Sequence, residues 1–283
     1  MPDLEKDQQI DLVSRDNNTA ERGDQKAENG HDQKRGKISS GSTVDPDEVA
    51  FFAEIADTWW SATGPFKPLH ELNPTRLAFI RDSLIAHFKL DNSSLKPLAG
   101  LRLLDIGCGG GLLCEPLTRM GAHVTGVDAS ENNIKVAALH AEQSGLDIKY
   151  LNTTSEVLAE AGEQFDAIVN MEVIEHVADV ATFLQSCRKL VKPEGVMLVS
   201  TLNRTVKSLL MAKIGAEYIL RWLPVGAHDW RKFITPAEMD SHLENANFKL
   251  TQVSGFAFHP VKWKWRIDSR DVDVNYAVVA VPK

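Results

Sequence analysis

Short apolar runs alternate with longer amphipathic stretches through the middle of the chain. The runs are too short for helices and are typical of strands buried on both faces. They cover residues 103–106, 123–127, 148–151, 165–170 and 196–200. Helical patterns fill the gaps, over about 112–120, 130–144, 155–161 and 179–190. Strands that alternate with helices predict a parallel, doubly wound α/β sheet.

The two ends of this pattern differ from its middle. Residues 236–245 predict a helix, and residues 248–256 and 275–281 alternate well enough to be two last strands, paired antiparallel at the sheet edge. The total is seven strands. Ahead of the first strand, Asp45-Pro46-Asp47-Glu48 starts a helix that reaches Trp60, and Asn73-Pro74 starts a second helix. We expect these two helices to cover the binding edge of the sheet as a lid.

Residues 1–46 have a different composition from the rest. They contain no aromatic residue and few aliphatic ones, so they cannot bury enough apolar surface to offset their ordering entropy. We therefore predict a disordered tail over 1–46 and one folded domain over 47–283. The tail is too acidic for a mitochondrial transit peptide and lacks the apolar stretch of a secretory signal.

Composition narrows the class of protein. The chain is 43% hydrophobic and 25% charged, with a net charge of −8 and no block rich in lysine or arginine, which argues against a nucleic-acid partner. Its three cysteines, Cys108, Cys114 and Cys187, lack metal-ligand spacing and fit reduced thiols in the cytoplasm. There is no apolar stretch of membrane-spanning length.

A glycine-rich turn follows the first predicted strand. Residues 107–111 read Gly-Cys-Gly-Gly-Gly, and a helix begins directly after them. Glycines let the backbone approach a ligand, and the N–H groups of the helix start are open to it. Asp128 ends the second strand, where a carboxylate accepts hydrogen bonds from ribose hydroxyls. The pattern predicts a nucleotide site, with an ordinary strand–helix corner as the alternative.

Two residues indicate which nucleotide binds. Leu112 stands where a dinucleotide motif has its third small residue. Asp105, just before the first glycine, would repel a pyrophosphate and attract a cation such as an α-amino group or a sulfonium. The turn therefore suits S-adenosylmethionine better than NAD, and a nicotinamide-dependent dehydrogenase is the competing class of enzyme.

The chain resembles a known family over residues 48–283. The resemblance is carried by TWWSATGPFKPLHELNPTRL, LLDIGCGGGLL, NMEVIEHV, LVKPEGVMLVSTLNR, AEYILRWLPVGAHDWRKFITP and DVDVNY. These segments are similar to class I S-adenosylmethionine-dependent methyltransferases, which have a Rossmann-like sheet, and more narrowly to the O-methyltransferases of ubiquinone biosynthesis. The resemblance implies methyl transfer to a ring hydroxyl of a polyprenylated catechol or demethylubiquinol. A methyltransferase with another small-molecule acceptor and a non-catalytic binding module are the alternatives.

The family's cofactor contacts map onto individual positions here. The resemblance implies that Arg76, Gly107, Asp128 and Met171 contact S-adenosylmethionine, beside the Asp105 and Gly109 of the glycine-rich turn. Met171 directly follows the fourth strand, which places it in the binding crevice. Packing in the core is the alternative role for Met171.

The acceptor proton must leave during transfer to a phenol. Glu172, Glu175 and His176 stand at i, i+3 and i+4, which a helical turn would put on one face. Two carboxylates suit Mg²⁺ and the resemblance implies a divalent ion there, although histidine is an unusual ligand for Mg²⁺. Alternatively His176 is a catalytic base that the acids orient, or the group caps the next helix.

The implied acceptor lies in a bilayer, so the enzyme must dock on a membrane. Residues 205–224 place Leu210, Met211, Ile214, Tyr218 and Trp222 on one helical face, with Lys207, Lys213 and Arg221 at its margins. We expect this insertion to bind an anionic inner-membrane surface peripherally, with packing on the domain's own core as the alternative. A ubiquinone-biosynthesis complex is a further expected partner, and His228 is either a substrate-side or a structural histidine.

Overall fold

A computed structural model describes residues 43–210, 230–259 and 262–283. Within these ranges, eight strands form one mixed sheet in the order β3-β2-β1-β4-β5-β8-β6-β7. The strands are β1 Arg102–Ile106, β2 His123–Asp128, β3 Lys149–Asn152, β4 Phe165–Met171, β5 Val191–Leu202, β6 Phe248–His259, β7 Lys264–Asp268 and β8 Asn275–Pro282. The helices are α1 Pro46–Glu54, α2 Lys67–Phe88, α3 Cys114–Arg119, α4 Glu131–Gln143, α5 Ser155–Glu160, α6 Val180–Leu190, α7 Val206–Ser208 and α8 Pro236–Asn245.

The first five strands are parallel, as the sequence predicts. Successive residues of a strand point to opposite faces, so Leu103 of β1 joins one apolar cluster and Leu104 joins the other. Both faces are therefore covered, and the strands are apolar runs without alternation. The carboxyl ends of β1, β2 and β4 consequently meet at one edge, where the glycine-rich turn, Asp128 and Met171 lie.

The sheet has one strand more than the seven predicted. The predicted antiparallel pair is confirmed as β6 with β8, and β8 joins it to the parallel strands by pairing antiparallel with β5. The additional strand is β7, which returns along β6 as a hairpin with Phe258 opposite Trp265. The prediction of seven strands missed β7, a strand of five residues on the exposed edge of the sheet, although its apolar residues Trp265 and Ile267 alternate with charged ones.

The first lid helix starts at Asp45-Pro46 as predicted, but its end and the start of the second differ from the prediction. α1 ends at Glu54, and a separate 3₁₀ turn spans Ala56–Thr58 before Trp59. α2 begins at Lys67 with Pro68 in its first turn, so Pro74 lies inside the helix rather than at its start. Proline at the first turn costs no hydrogen bond, which makes Pro68 the better helix start. Beside Pro74, the Asn73 side chain donates a 2.8 Å hydrogen bond to the Leu112 carbonyl, tying α2 to the nucleotide-binding edge.

The folded part begins earlier than the predicted boundary at residue 47. Thr43 is buried, its hydroxyl donates to the Glu156 carboxylate, and its carbonyl accepts a 2.8 Å hydrogen bond from the Ala178 N–H. The Asp45 side chain caps α1. Residues 43–46 are therefore packed, and assigning them to a disordered tail was wrong. Residues 1–42 lie outside the described residues, so disorder there stays a prediction.

The segment predicted to dock on membranes is described only at its beginning. α7 is capped by Thr205, and Leu210 follows with 53% of its surface exposed. Residues 211–224 and His228 lie outside the described ranges, so the predicted amphipathic face stays a prediction. Across the part of the chain that is described, no helix combines the length and apolar content needed to cross a bilayer.

The Thr43 contact predicts a stability effect at the edge of the folded domain. Thr43→Val keeps the shape of the side chain but leaves the buried Glu156 carboxylate without its donor. We expect the free energy of unfolding to fall by about 1–3 kcal/mol, the cost of a buried unsatisfied polar group. Urea denaturation measures it, with Ser93→Ala as the control, since the Ser93 hydrogen bond to Asp91 is exposed. Equal stability of Thr43→Val and wild type would contradict the assignment of Thr43 to the packed domain.

Candidate active site

The glycine-rich turn is closed by backbone hydrogen bonds and covered by an aromatic side chain. The N–H groups of Gly107 and Cys108 both donate to the Val127 carbonyl, at 2.8 and 3.0 Å. Gly109 has φ +52°, and a Cβ there would lie 2.4 Å from the Trp59 ring. The turn therefore needs glycine for its backbone conformation and for the close approach of the lid.

Asp128 lies at the end of β2, as predicted, and is held by three donors. The N–H groups of Gly109 and Ser130 donate to its two oxygens at 3.0 and 2.8 Å, and the Asn133 amide donates at 3.2 Å. Burial raises the pKa of this carboxyl, and the bonds from Ser130, Gly109 and Asn133 oppose the rise. A carboxylate has about four acceptor positions, so capacity remains for a ribose hydroxyl.

Asp105 and Arg76 form the opposite polar corner of the cofactor end. Asp105 is buried and accepts a 3.2 Å hydrogen bond from the Cys114 thiol. Burial raises its pKa to about 7, against the lowering influence of Cys114 and of the Arg76 charge. Arg76 is also buried, and its Nε and Nη2 atoms have no hydrogen-bond acceptor among the described residues. A buried cation with unused donors fits a carboxylate ligand.

One cavity of about 640 Å³ collects the predicted site residues at this edge of the sheet. All six cofactor-binding candidates line it, together with two of the three metal candidates: Arg76, Asp105, Gly107, Gly109, Asp128, Met171, Glu172 and His176. Glu175 is not among the residues that line it. Residues from α1 and α2 complete the wall, which confirms that the two N-terminal helices cover the site.

The predicted helical turn around the acidic pair is not formed. Glu172 has φ +60° and lies outside the 3₁₀ turn Ile174–His176. Its Oε1 accepts a 2.8 Å hydrogen bond from the Ser200 hydroxyl and lies 3.6 Å from Arg76 Nη2. Glu175 points into the protein, where Thr201 donates to Oε2 at 2.9 Å and Oε1 has no described partner. Burial, and then the charge of Glu172, raise the pKa of Glu175 to about 8.

The three predicted magnesium ligands are bonded to three different partners. Glu172 is bonded to Ser200, Glu175 to Thr201 and His176 to Glu48, so the three side chains do not converge on one point. Over the described residues, no group of three or more histidine, cysteine, aspartate or glutamate side chains is arranged to hold a metal ion. The set Glu172, Glu175 and His176 therefore does not fit a three-ligand metal site.

His176 is instead held by an acid that the sequence analysis did not single out. Glu48 Oε2 lies 3.1 Å from His176 Nδ1, and Lys232 Nζ lies 3.1 Å from Glu48 Oε1 and 3.2 Å from Asp45 Oδ2. The hydrogen bond with His176, and the charges of His176 and Lys232, lower the pKa of Glu48 to about 2 despite burial. Burial lowers the pKa of His176, but the bond to Glu48 and the charges of Glu175, Glu48 and Glu172 outweigh it and raise the pKa.

An ionised Glu48 determines which nitrogen of His176 carries the proton. A carboxylate only accepts hydrogen bonds, so Nδ1 must be the protonated nitrogen, and the neutral ring keeps its lone pair on Nε2. Glu48 sits 128 positions away in the chain. The only sequence signal for it was an acid in the first turn of a helix, which is also explained by the helix dipole.

The lid is fastened to the cofactor end by two tryptophans that the sequence analysis placed only on a helix. Trp59 stacks on Phe66, with ring centroids 3.7 Å apart, and its Nε1 donates to the Asn133 side chain at 2.9 Å. Trp60 Nε1 donates to the Gly110 carbonyl at 2.9 Å, and its ring stacks on His140 at 3.5 Å. Both residues lie after the 3₁₀ turn, outside any regular helix. The helical periodicity of the sequence therefore could not predict their contacts.

Comparisons with known proteins agree with this geometry. A family model described as a methyltransferase domain matches residues 77–253. The structure is similar to magnesium protoporphyrin IX methyltransferase from Synechocystis PCC 6803 with bound SAM, at a TM-score of 0.56 and 16% identity over 84% of this chain and 99% of that one. It is also similar to a SAM-dependent methyltransferase from Thermotoga maritima, at a TM-score of 0.57 and 18% identity over 83% and 100% of the two chains. The sheet order and the glycine-rich turn thus define a class I methyltransferase fold.

The sequence relatives narrow the family. The chain is 54% identical to the ubiquinone biosynthesis O-methyltransferase of Cereibacter sphaeroides, over 86% of this chain and 99% of the relative. It is 51% identical to the protein of the same name from Azorhizobium caulinodans, over 87% and 97% of the two chains. The chain belongs to the ubiquinone biosynthesis O-methyltransferase family.

The contact between Trp59 and the turn predicts unequal costs for two glycine substitutions. Gly109 and Gly145 have similar φ angles, +52° and +64°, but a Cβ meets Trp59 at Gly109 and nothing within 4 Å at Gly145. Gly109→Ala should therefore cost about 1–3 kcal/mol more in the free energy of unfolding than Gly145→Ala, because it overpacks the lid contact. Urea denaturation of both variants measures the difference. Equal costs would show that Trp59 does not pack on the turn in solution.

Proposed function

We propose that the protein transfers a methyl group from S-adenosylmethionine to a ring hydroxyl of polyprenylated catechol and demethylubiquinol intermediates of ubiquinone biosynthesis. The observation that carries the proposal is a single cavity that two chemically different groups of side chains line. One group is Asp105, Arg76 and Asp128, and the other is His176 with Glu48. Membership of the ubiquinone biosynthesis O-methyltransferase family supports this acceptor.

The first of these groups of side chains is complementary to the polar groups of S-adenosylmethionine. Asp128 would accept ribose hydroxyls, the unused donors of Arg76 would bind the carboxylate, and Asp105 would attract the α-amino group. When bound, the cofactor supplies an electrophilic methyl group on sulfur. Met171 and Gly107 also line the cavity and would add a small, apolar part to the wall around the cofactor.

His176 is the group that removes the acceptor proton in this proposal. A phenol titrates near pH 10, so at neutral pH its oxygen carries a proton and is a poor nucleophile. Glu48 fixes the Nδ1–H tautomer of His176, which leaves Nε2 as the base. Glu48 then stabilises the imidazolium that forms, as an acid behind a catalytic histidine does in hydrolases. Glu48 acts on the reaction through His176 and is therefore a positioning residue, while His176 is the catalytic one.

The polyprenyl tail of the acceptor determines where the protein must meet its substrate. A polyprenylated acceptor stays in a bilayer, so we propose that the protein works in the cytoplasm and binds an anionic inner-membrane surface peripherally, through the insertion at residues 205–224. The exposed Leu210 belongs to the described start of this insertion, where Lys207 pairs with Asp271 at 3.3 Å and with Asp273 at 3.1 Å. Support for adsorption to anionic lipid therefore comes from the sequence, in which Lys213 and Arg221 stand beside apolar residues. A ubiquinone-biosynthesis complex would be a further partner.

Cofactor binding provides the first test. Asp128→Asn keeps the shape of the side chain but removes its charge, and charge-assisted hydrogen bonds contribute about 1.5–3 kcal/mol. Calorimetry should show S-adenosylmethionine binding to the variant weaker by roughly 10- to 150-fold, with no binding of NADH to the wild type. The control is Asp147→Asn, which changes an exposed aspartate just before β3, at the opposite end of the parallel strands from Asp128. Equal affinity of Asp128→Asn and wild type would contradict the assignment.

Methyl transfer as a function of pH tests the histidine. With methyl-labelled cofactor and a short-tail demethylubiquinol analogue, the wild-type rate should rise with pH through the pKa of His176, because a base acts only when deprotonated. Since Glu48 raises that pKa, Glu48→Gln should move the rise to lower pH and reduce the plateau. His176→Gln should lower the rate by about 10²- to 10⁴-fold, the usual contribution of acid–base catalysis.

The controls separate this mechanism from its alternatives. Asp47→Asn changes an exposed acid next to Glu48 and should leave the profile unchanged. If His176→Gln methylated the analogue as fast as wild type, His176 would not be the base. Turnover that EDTA abolishes and Mg²⁺ restores would favour a metal ion in place of the histidine. Transfer to an unrelated phenol in preference to the analogue would reassign the acceptor.

A further inference from the structure

The β6–β7 hairpin extends the sheet beyond the seven strands that the sequence predicted, and its two faces differ. Phe256 and Phe258 of β6 share one face with Trp265 and Ile267 of β7, which pair with them across the hairpin. Residues Lys264, Arg266 and Asp268 alternate onto the other face, where Arg266 pairs with Asp268 at 2.8 Å. An edge strand with charges on one face only has an apolar face that needs a partner.

The aromatic face is turned toward the lid and the active site. Phe256 contacts Phe79 of α2 edge to face, with centroids 5.8 Å apart, which anchors the hairpin on the lid helix. Phe258 lies at the centre of an aromatic group, 5.1 Å from the ring of Trp263 and 5.1 Å from that of Trp265. Trp263 and Trp265 therefore both pack on Phe258 and form one aromatic group.

The same cavity that contains His176 continues to this group. Phe258, Trp263 and Trp265 line it, and so do three apolar side chains on facing elements, Leu69 and Leu72 of α2 and Leu210 after α7. Trp263 and Leu210 are about half exposed, at 52% and 53%, so this end of the cavity reaches the protein surface. The polar site and the aromatic group thus line one cavity. We call the apolar part that leads from His176 to the surface at Trp263 and Leu210 the passage.

We propose that this aromatic group, Phe258, Trp263 and Trp265 with Leu210, is a binding site for the isoprenoid tail of the acceptor. The inference rests on the proposed function for the identity of the ligand. The ring hydroxyl must reach His176, and the tail leaves the ring along the passage toward Trp263 and Leu210. A flexible chain of methyl-branched alkene units binds rigid aromatic and aliphatic walls through buried apolar area and needs no polar partner.

Binding of two acceptor analogues tests the site. One is catechol with a farnesyl substituent and the other is catechol with a methyl substituent in the same position. Calorimetry on protein saturated with S-adenosylhomocysteine, which prevents turnover, gives the ratio of their dissociation constants. We expect wild type to bind the farnesyl compound at least about tenfold more tightly than the methyl compound. One extra methylene group in an apolar pocket already gives about that factor, so it is a lower bound for a farnesyl group.

Two variants, each with a matched control, test whether the preference for the farnesyl compound depends on the proposed residues. Trp263→Ser and Leu210→Asn should each reduce the ratio several-fold toward one. Their controls are Ile267→Ser, on the same face of the hairpin, and Val206→Asn, in the same segment as Leu210. Both control residues are exposed and neither is among the residues that line the cavity. The controls should keep the wild-type ratio.

The outcomes distinguish the tail site from the proposed function. A wild-type ratio near one, or an equal reduction in the variants and their controls, would overturn the tail site even if the protein methylates both compounds. A preserved preference for the farnesyl compound without methyl transfer to either would support the tail site and contradict the proposed function. A preference that Trp263→Ser and Leu210→Asn both abolish, with transfer intact in wild type, would support both.

Discussion

The packing of Trp59 on the glycine-rich turn is the contact on which the site depends. A Cβ at Gly109 or Gly110 would lie 2.4 Å from Trp59 atoms, so the sequence of the turn and the position of the lid determine each other. Trp60 adds a hydrogen bond to the Gly110 carbonyl. This contact holds residues 59–60 on the turn, and the segment before them, which contains α1, supplies Glu48 and Val49 to the cavity wall.

Ionic contacts hold α1 in place. Glu48 accepts from His176 and is flanked by Lys232, so an acid from the lid, a histidine from the loop after β4 and a lysine from before α8 form one ionic group. Parallel strands alone would bring His176 to the cavity edge, but they would leave its tautomer undetermined. The lid therefore closes the cavity and also supplies the group that prepares its base. At the cofactor site Arg76 is also buried, and its Nε and Nη2 atoms have no described hydrogen-bond acceptor, which leaves donors for a ligand carboxylate.

The sequence predicted those features that depend on local pattern. The five parallel strands, the turn at Gly107 and the position of Asp128 follow from apolar runs and glycine spacing, and the structure confirms them. The features that it missed depend on contacts between distant segments. Glu48 looks like any acid in a first helical turn, and Thr43 belongs by composition to the tail. Glu175 turns inward to Thr201, while Glu172 adopts φ +60° in place of a helical turn. The β7 strand did have a local signal, since Trp265 and Ile267 alternate with charged residues.

The central claim is that Glu48 holds His176 with its proton on Nδ1. Nitrogen-15 NMR of histidine-labelled protein measures the tautomer directly, with the His176 signals assigned by their absence in His176→Gln. The account predicts that neutral His176 in wild type is the Nδ1–H form and that Glu48→Gln yields a mixture of both tautomers with a lower pKa. A neutral His176 protonated on Nε2, or spectra that Glu48→Gln leaves unchanged, would contradict it.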